Sequence, residues 1–170
     1  GTSAGVRSIS LEFQDERVEV PDAASLPRLE FVLPTSGGLA YGGFALDAAS
    51  RAYLLQHLPE LQDPLARGAA WVTLWDEMLD RRVSPSAFLD AALAALPRED
   101  TEQNVHLVVG YVEEAFWRFL SDSARLALSP TLERTLRAGL GRATTSSMKS
   151  TYFSAFYSIV TTSDGVAFLE

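Results

Sequence analysis

Asp63-Pro64-Leu65-Ala66-Arg67-Gly68-Ala69-Ala70-Trp71-Val72-Thr73-Leu74-Trp75-Asp76-Glu77-Met78-Leu79 is the stretch that decides the fold. Asp63 is a side-chain cap, and Pro64 stands at the first helical position, where the missing N–H costs nothing. Leu65, Ala69, Trp71, Val72, Trp75, Met78 and Leu79 then recur at helical spacing and make one broad apolar face, with Arg67, Glu77 and Asp80 largely outside it. The reading is a capped amphipathic helix.

The same grammar recurs on both sides of this helix. Upstream, Asp47 can cap a helix bearing Leu54, Leu55 and Leu58 that stops before Pro59. Downstream, Ser84-Pro85 opens a helix with Phe88, Leu89, Ala92, Leu93 and Leu96 inward and Pro97 as its stop. A further helix is expected from about Glu102 to Leu120, burying Val105, Val109, Val112, Phe116 and Phe119. Ser129-Pro130 reads as the start of another, ended by Gly139 and Gly141, and a last one holds Met148, Tyr152, Phe156 and Ile159. Short connections imply antiparallel hairpins, and the repeated cap, proline, stripe and break suggest an irregular α-solenoid of the HEAT or armadillo kind, with a four-helix type of bundle as the other packing.

Before Asp47 the period is two. Ile9, Leu11 and Phe13 alternate with polar residues, as do Val18 and Val20, then Leu29, Phe31 and Leu33 before Pro34. Two or three strands are expected, followed by a turn at Thr35-Ser36-Gly37-Gly38 and a short strand or irregular connection over Leu39 to Leu46. So few strands make a marginal sheet alone and point to a neighbour. The division expected is a β-rich lead-in over 1–46 and a helical-repeat domain over 47–170, mainly α overall. The start at Gly1-Thr2-Ser3 and the apolar end at Gly165-Val166-Ala167-Phe168-Leu169 suggest a piece of a longer polypeptide, with Leu169-Glu170 or the first three residues open to a vector origin.

Composition narrows function by exclusion. The 170 residues contain no cysteine, so disulfides, thiolate metal ligands and a thiol nucleophile are ruled out. The net charge of -8 disfavours nucleic-acid binding. No apolar run reaches the ~18 to 20 residues of a bilayer span, so a soluble chain is expected, in the cytoplasm if anywhere can be named. His57 and His106 sit in no HExxH or other ligand pattern, and no GxSxG elbow is present. The acid pairs Asp76-Glu77 and Glu113-Glu114 read as solvated helix surface, since adjacent residues point about 100° apart. Trp71, Trp75 and Phe116 read as core; Trp117 is left outward, where Arg118 can stack on its ring. Catalytic, cofactor-binding and metal residues are therefore expected to be none.

Several of these segments resemble a known family. Leu33-Pro34-Thr35-Ser36-Gly37-Gly38-Leu39-Ala40-Tyr41-Gly42-Gly43-Phe44-Ala45-Leu46-Asp47 is similar to the junction between the β-sandwich and the C-terminal helical domain of thermolysin-like zinc aminopeptidases, the alanyl, puromycin-sensitive and endoplasmic-reticulum group. Leu61-Gln62-Asp63-Pro64-Leu65-Ala66-Arg67, Ala70 to Asp76 and Tyr152-Phe153-Ser154-Ala155-Phe156 extend the likeness, while Thr35 departs from the family's asparagine. The resemblance covers about Pro27 to Leu169 and rests on structural motifs. It implies a parent enzyme that removes N-terminal residues from peptides with a zinc-activated water. The zinc helix and its ligands then lie in a preceding catalytic domain, this chain's expected partner, and zinc is expected there and not here. The helical segment is implied to cover the active-site chamber and limit peptide access, with peptide substrates and, through surfaces left bare, a second copy as further contacts. The other function class is a stand-alone helical-repeat scaffold for protein partners.

Overall fold

The computed structural model describes residues 9–12, 17–20, 29–35 and 42–170. Among the described residues seven α-helices follow one another: α1 (Ala48–His57), α2 (Pro64–Leu79), α3 (Pro85–Ala95), α4 (Glu102–Phe119), α5 (Asp122–Arg142), α6 (Ser146–Ile159) and α7 (Ser163–Leu169). A single 3-10 turn at Leu58–Glu60, holding Pro59, follows α1.

The caps at Asp47, Asp63 and Ser84 are where the sequence puts them. The Asp47 carboxylate accepts from the N–H groups of Ala49 and Ser50, and Asp63 from Leu65, while Ser84 accepts from Ala87. Ser121, Thr145 and Thr162 do the same for α5, α6 and α7, so six of the seven helices start on a side-chain oxygen that satisfies an otherwise orphaned N–H.

Two boundaries differ from the sequence reading. Ser129-Pro130 does not open a helix; Pro130 lies inside α5, which starts eight residues earlier on the Ser121 cap. Proline removes one ladder bond there, and the Ser129 hydroxyl donates to the Arg125 carbonyl at 2.7 Å beside the gap. Gly139 and Gly141 do not end α5 either. Gly139 is buried within the helix because the Tyr152 ring lies where a Cβ would stand.

The lead-in is also different. Among the described residues no strand occurs: Ile9, Leu11, Val18, Val20, Leu29, Phe31 and Leu33 lie outside regular structure, and Phe13 and Ser36 to Tyr41 lie outside the described residues. A strand needs a neighbouring strand for its ladder, and here the helices take its groups instead. Val32 N–H donates to the Ser50 hydroxyl of α1 at 2.8 Å, Phe31 stacks on Tyr53 at 4.9 Å, and the Thr35 and Thr73 hydroxyls meet at 3.0 Å.

One continuous core joins all of this, with Trp71, Phe88, Phe116, Tyr152 and Phe156 among its largest fully buried side chains. Trp75 stacks on Tyr111 at 4.5 Å and meets Phe88 and Phe119 edge-on, tying α2, α3 and α4 together. On α2 the buried set is Ala66, Ala70, Trp71, Thr73, Leu74, Trp75, Glu77 and Met78. Leu65, Val72 and Leu79, expected inward, are exposed, and so is Phe119. At 100° per residue Leu65, Val72 and Leu79 form one row roughly opposite Ala66, Ala70 and Leu74, so the buried face of α2 is turned round the helix from the expected one.

The packing order is not the chain order. α5 packs chiefly on α6, antiparallel, with Gly139 against Tyr152 and Glu133 against Thr161. It hardly meets α4, to which only Leu120 and Ser121 join it. α4 is instead held on two opposite sides. Asn104 donates to the Pro64 carbonyl of α2 at 2.9 Å, and Tyr111 faces Trp75. On the other side Glu102 meets Thr145, His106 meets Thr151, and Glu113 meets Ser158, at 2.9, 3.4 and 2.6 Å. Residue numbers rise together in both sets. Helices α2, α4 and α6 therefore run parallel, each displaced by 36 to 45 residues from the last.

Candidate functional site

The polar groups that the fold gathers are three glutamates, Glu77 and Glu133 buried and Glu99 with its side chain covered, each at a joint between elements. Glu77 of α2 is fully buried, against the expectation that Asp76-Glu77 would be solvated surface. The lead-in covers it. Its carboxylate accepts from Leu46 N–H at 3.1 Å, from Arg82 Nε at 2.8 Å and from Arg51 Nε, and Arg51 also donates to the Leu46 carbonyl at 2.9 Å. Burial alone would raise its pKa; the Arg51 and Leu46 donors, with Arg82, outweigh that and hold it below the ordinary glutamate value.

Glu99, in the α3–α4 connection, receives both Nε and Nη2 of Arg67, at 2.9 and 2.8 Å, a two-pronged pairing of planar groups. Arg67 spends its remaining donors on the Leu61 and Gln62 carbonyls at 2.9 and 3.1 Å and on the Thr101 hydroxyl. Glu99 takes Thr101 N–H at 3.0 Å and the Asn104 amide at 3.3 Å besides. Its pKa is lowered although burial opposes this, first because of Arg67. Arg67 was expected at the edge of the helix surface; it is a nearly buried brace between α2 and the start of α4.

Glu133 of α5 is buried with no cation beside it among the described residues. Thr161 N–H and Thr162 N–H reach it at 2.8 and 3.0 Å, and the Thr162 hydroxyl donates as well. These groups sit at the start of α7, so backbone dipoles supply the positive end. Burial pushes the Glu133 pKa up, the threonine donors push it down, and the result is a lowered value.

None of these carboxylates is free to act on a substrate, since every one is saturated by donors from its own fold. The histidines stand apart: His57 Nδ1 is 3.3 Å from Glu60 Oε2, and His106 Nδ1 is 3.4 Å from Thr151 Oγ1 on another helix pair. Among the described residues no group of three or more His, Asp or Glu side chains is placed to hold a metal ion. No helix of the described residues is long and apolar enough to cross a membrane.

Two open hollows mark the surface. One, of about 420 Å³, lies between Gly43 to Ala45 and Asp76, Leu79, Asp80 and Arg82. The other, of about 280 Å³, is lined by Trp117, Asp122, Arg125, Leu126, Ser129 and Thr161. Trp117 is exposed as expected, but its cation is Arg125, 5.5 Å from the ring; Arg118 pairs with Glu114 at 3.1 Å instead. Arg125 comes from the next helix, where its Nη1 also caps the Leu120 carbonyl at 2.8 Å. Val166 and Phe168 are each 45% exposed, with Arg137 lying 4.1 Å over the Phe168 ring.

Aminopeptidase N of Streptomyces lividans is 25% identical over 120 residues, which are 71% of this chain and 14% of that protein. The chain thus spans a small part of the relative's length. No family model matches the chain. No solved structure matches it.

Proposed function

We propose that this chain is a non-catalytic helical segment of a zinc-dependent aminopeptidase, an irregular α-solenoid that walls the active-site chamber and limits peptide access. The observation that carries the reading is the stretch shared with an aminopeptidase N across most of this chain. The parallel run of α2, α4 and α6 at a displacement near 40 residues supports the solenoid, since stacked helical repeats of about 40 to 47 residues have that spacing. The donor chemistry agrees. His57 and His106 are on different helices with other partners, and the buried glutamates are used up, so the described residues do not fit a zinc ion. Zinc, the water it activates and the grip on the peptide's amino terminus belong, in this reading, to another part of the same polypeptide.

Two measurements test it together. The isolated chain, given aminoacyl-anilide substrates and added zinc, is expected to show no turnover, and turnover would overturn the non-catalytic role. The genomic reading frame is expected to carry an HExxH upstream of residue 1. A native start codon there would instead favour a stand-alone scaffold that binds protein partners.

A further inference from the structure

One face of the layer formed by α2, α4 and α6 is open among the described residues. Asn104 and Tyr111 of α4 face α2, while His106 and Glu113 face Thr151 and Ser158 of α6. At 100° per residue, the arc between these contacts on the side away from the core carries Leu65, Val72 and Leu79 on α2. The same arc carries Gln103, Gly110 and Trp117 on α4, and Phe153 and Tyr157 on α6; all of these are exposed. A glycine inside a helix weakens it, and nothing within 4 Å gives Gly110 a reason inside this chain. The layer also holds these residues at matched heights. Trp75 against Tyr111 and Pro64 against Asn104 set α2 level with α4 at a displacement of 36 to 40 residues, so Val72 stands beside Gly110. The α4–α6 pairs, 45 residues apart, set Gly110 level with Ala155. Val72 is midway between Leu65 and Leu79, and Ala155 midway between Phe153 and Tyr157.

We propose that a second copy of this chain packs on this face about a two-fold axis that crosses the three helices at Val72, Gly110 and Ala155. Each helix then lies antiparallel on its own counterpart. Leu65 meets Leu79 of the second copy, Val72 meets Val72, and Phe153 meets Tyr157, so a single operation gives each of these exposed apolar residues an apolar partner. On α4 the same operation sets the His106 imidazole opposite the Glu114 carboxylate and Trp117 over Gln103. It sets Gly110 opposite Gly110, where the missing side chains let the two backbones close. With helices of 16, 18 and 14 residues about 9 Å apart, the face offers on the order of 650 Å² per copy, near the ~800 Å² of a standard interface. The proposal does not depend on the aminopeptidase reading.

Cysteine is absent from the sequence, so single thiols report the axis. Under mild oxidation Val72→Cys is expected to cross-link to its own counterpart, because the axis passes beside it. Leu65→Cys stands about 21 Å from its counterpart, too far for a disulfide, and should cross-link only in the Leu65→Cys/Leu79→Cys double variant. The unaltered chain should sediment at twice the mass of one chain. Gly110→Gln, whose added side chain has open space within the fold, should raise the dimer dissociation constant by about tenfold or more. Gly141→Gln, equally open on α5, should leave it unchanged. A monomer at every concentration, equal effects of the two glutamines, or cross-linking of Leu65→Cys without Val72→Cys would each overturn the proposal and leave the aminopeptidase reading standing.

Discussion

Gly139 and Gly110 separate two meanings of a helical glycine. A Cβ at Gly139 would overlap the Tyr152 ring, whereas at Gly110 nothing lies within 4 Å. Gly139→Ala is expected to cost about 1 to 3 kcal/mol through overpacking, and Gly110→Ala to gain up to about 1 kcal/mol from helix propensity. Urea midpoints that move in the same direction for both would contradict the packing of α5 on α6. From the sequence Gly139 looked like a helix stop, because its partner Tyr152 is thirteen positions away and only the fold brings the ring to it. Glu77 is the parallel case among charges. It looked like solvated surface since nothing local announces that the lead-in will cover α2. Glu77→Gln leaves Arg51 short of a buried counter-charge and should cost about 3 kcal/mol in denaturant unfolding. An unchanged midpoint would mean that the Arg51 and Arg82 pairings contribute nothing.

At the scale of elements, the local punctuation was legible and its position in the helix was not. Asp47, Asp63-Pro64 and Ser84-Pro85 are read correctly because a cap and the proline after it act within one turn. Ser129-Pro130 has the same letters in the middle of a helix, where Ser129 bonds backward to Arg125 and packs under Thr161 at 2.7 Å. What starts α5 is Ser121. Ser121→Ala is accordingly expected to cost about 1 kcal/mol and to speed amide exchange over 122–128, as loss of a cap does. A neutral effect would restore Ser129 as the start. The alternation of the lead-in is a fair strand signal, yet at Phe31 and Val32 the partner is α1, through Tyr53 and Ser50, and Val20 and Leu29 of the same alternation are exposed.

For the whole molecule, the titration of the three buried glutamates sets how stability depends on acid. Glu77, Glu99 and Glu133 all have folded-state pKa values below the ordinary glutamate value of about 4.3. Their contribution is therefore complete above the unfolded-state value and is lost as pH falls through the lower folded-state values. Thermal scans should show little change from these groups between about pH 6 and 8 and a falling midpoint below about pH 4. A midpoint that rises on acidification would have the wrong sign. The parallel order of α2, α4 and α6 is not legible in the sequence, because it depends on contacts across 36 to 45 residues. That displacement also has a kinetic side. The α5–α6 hairpin closes across three residues, Ala143 to Thr145, while 22 residues separate α2 from α4 and 26 separate α4 from α6, and the entropy of closure grows with the logarithm of that length. The antiparallel pair can thus form early, and the parallel stack must assemble on it afterwards, at a rate governed by topology more than by the strength of any one contact.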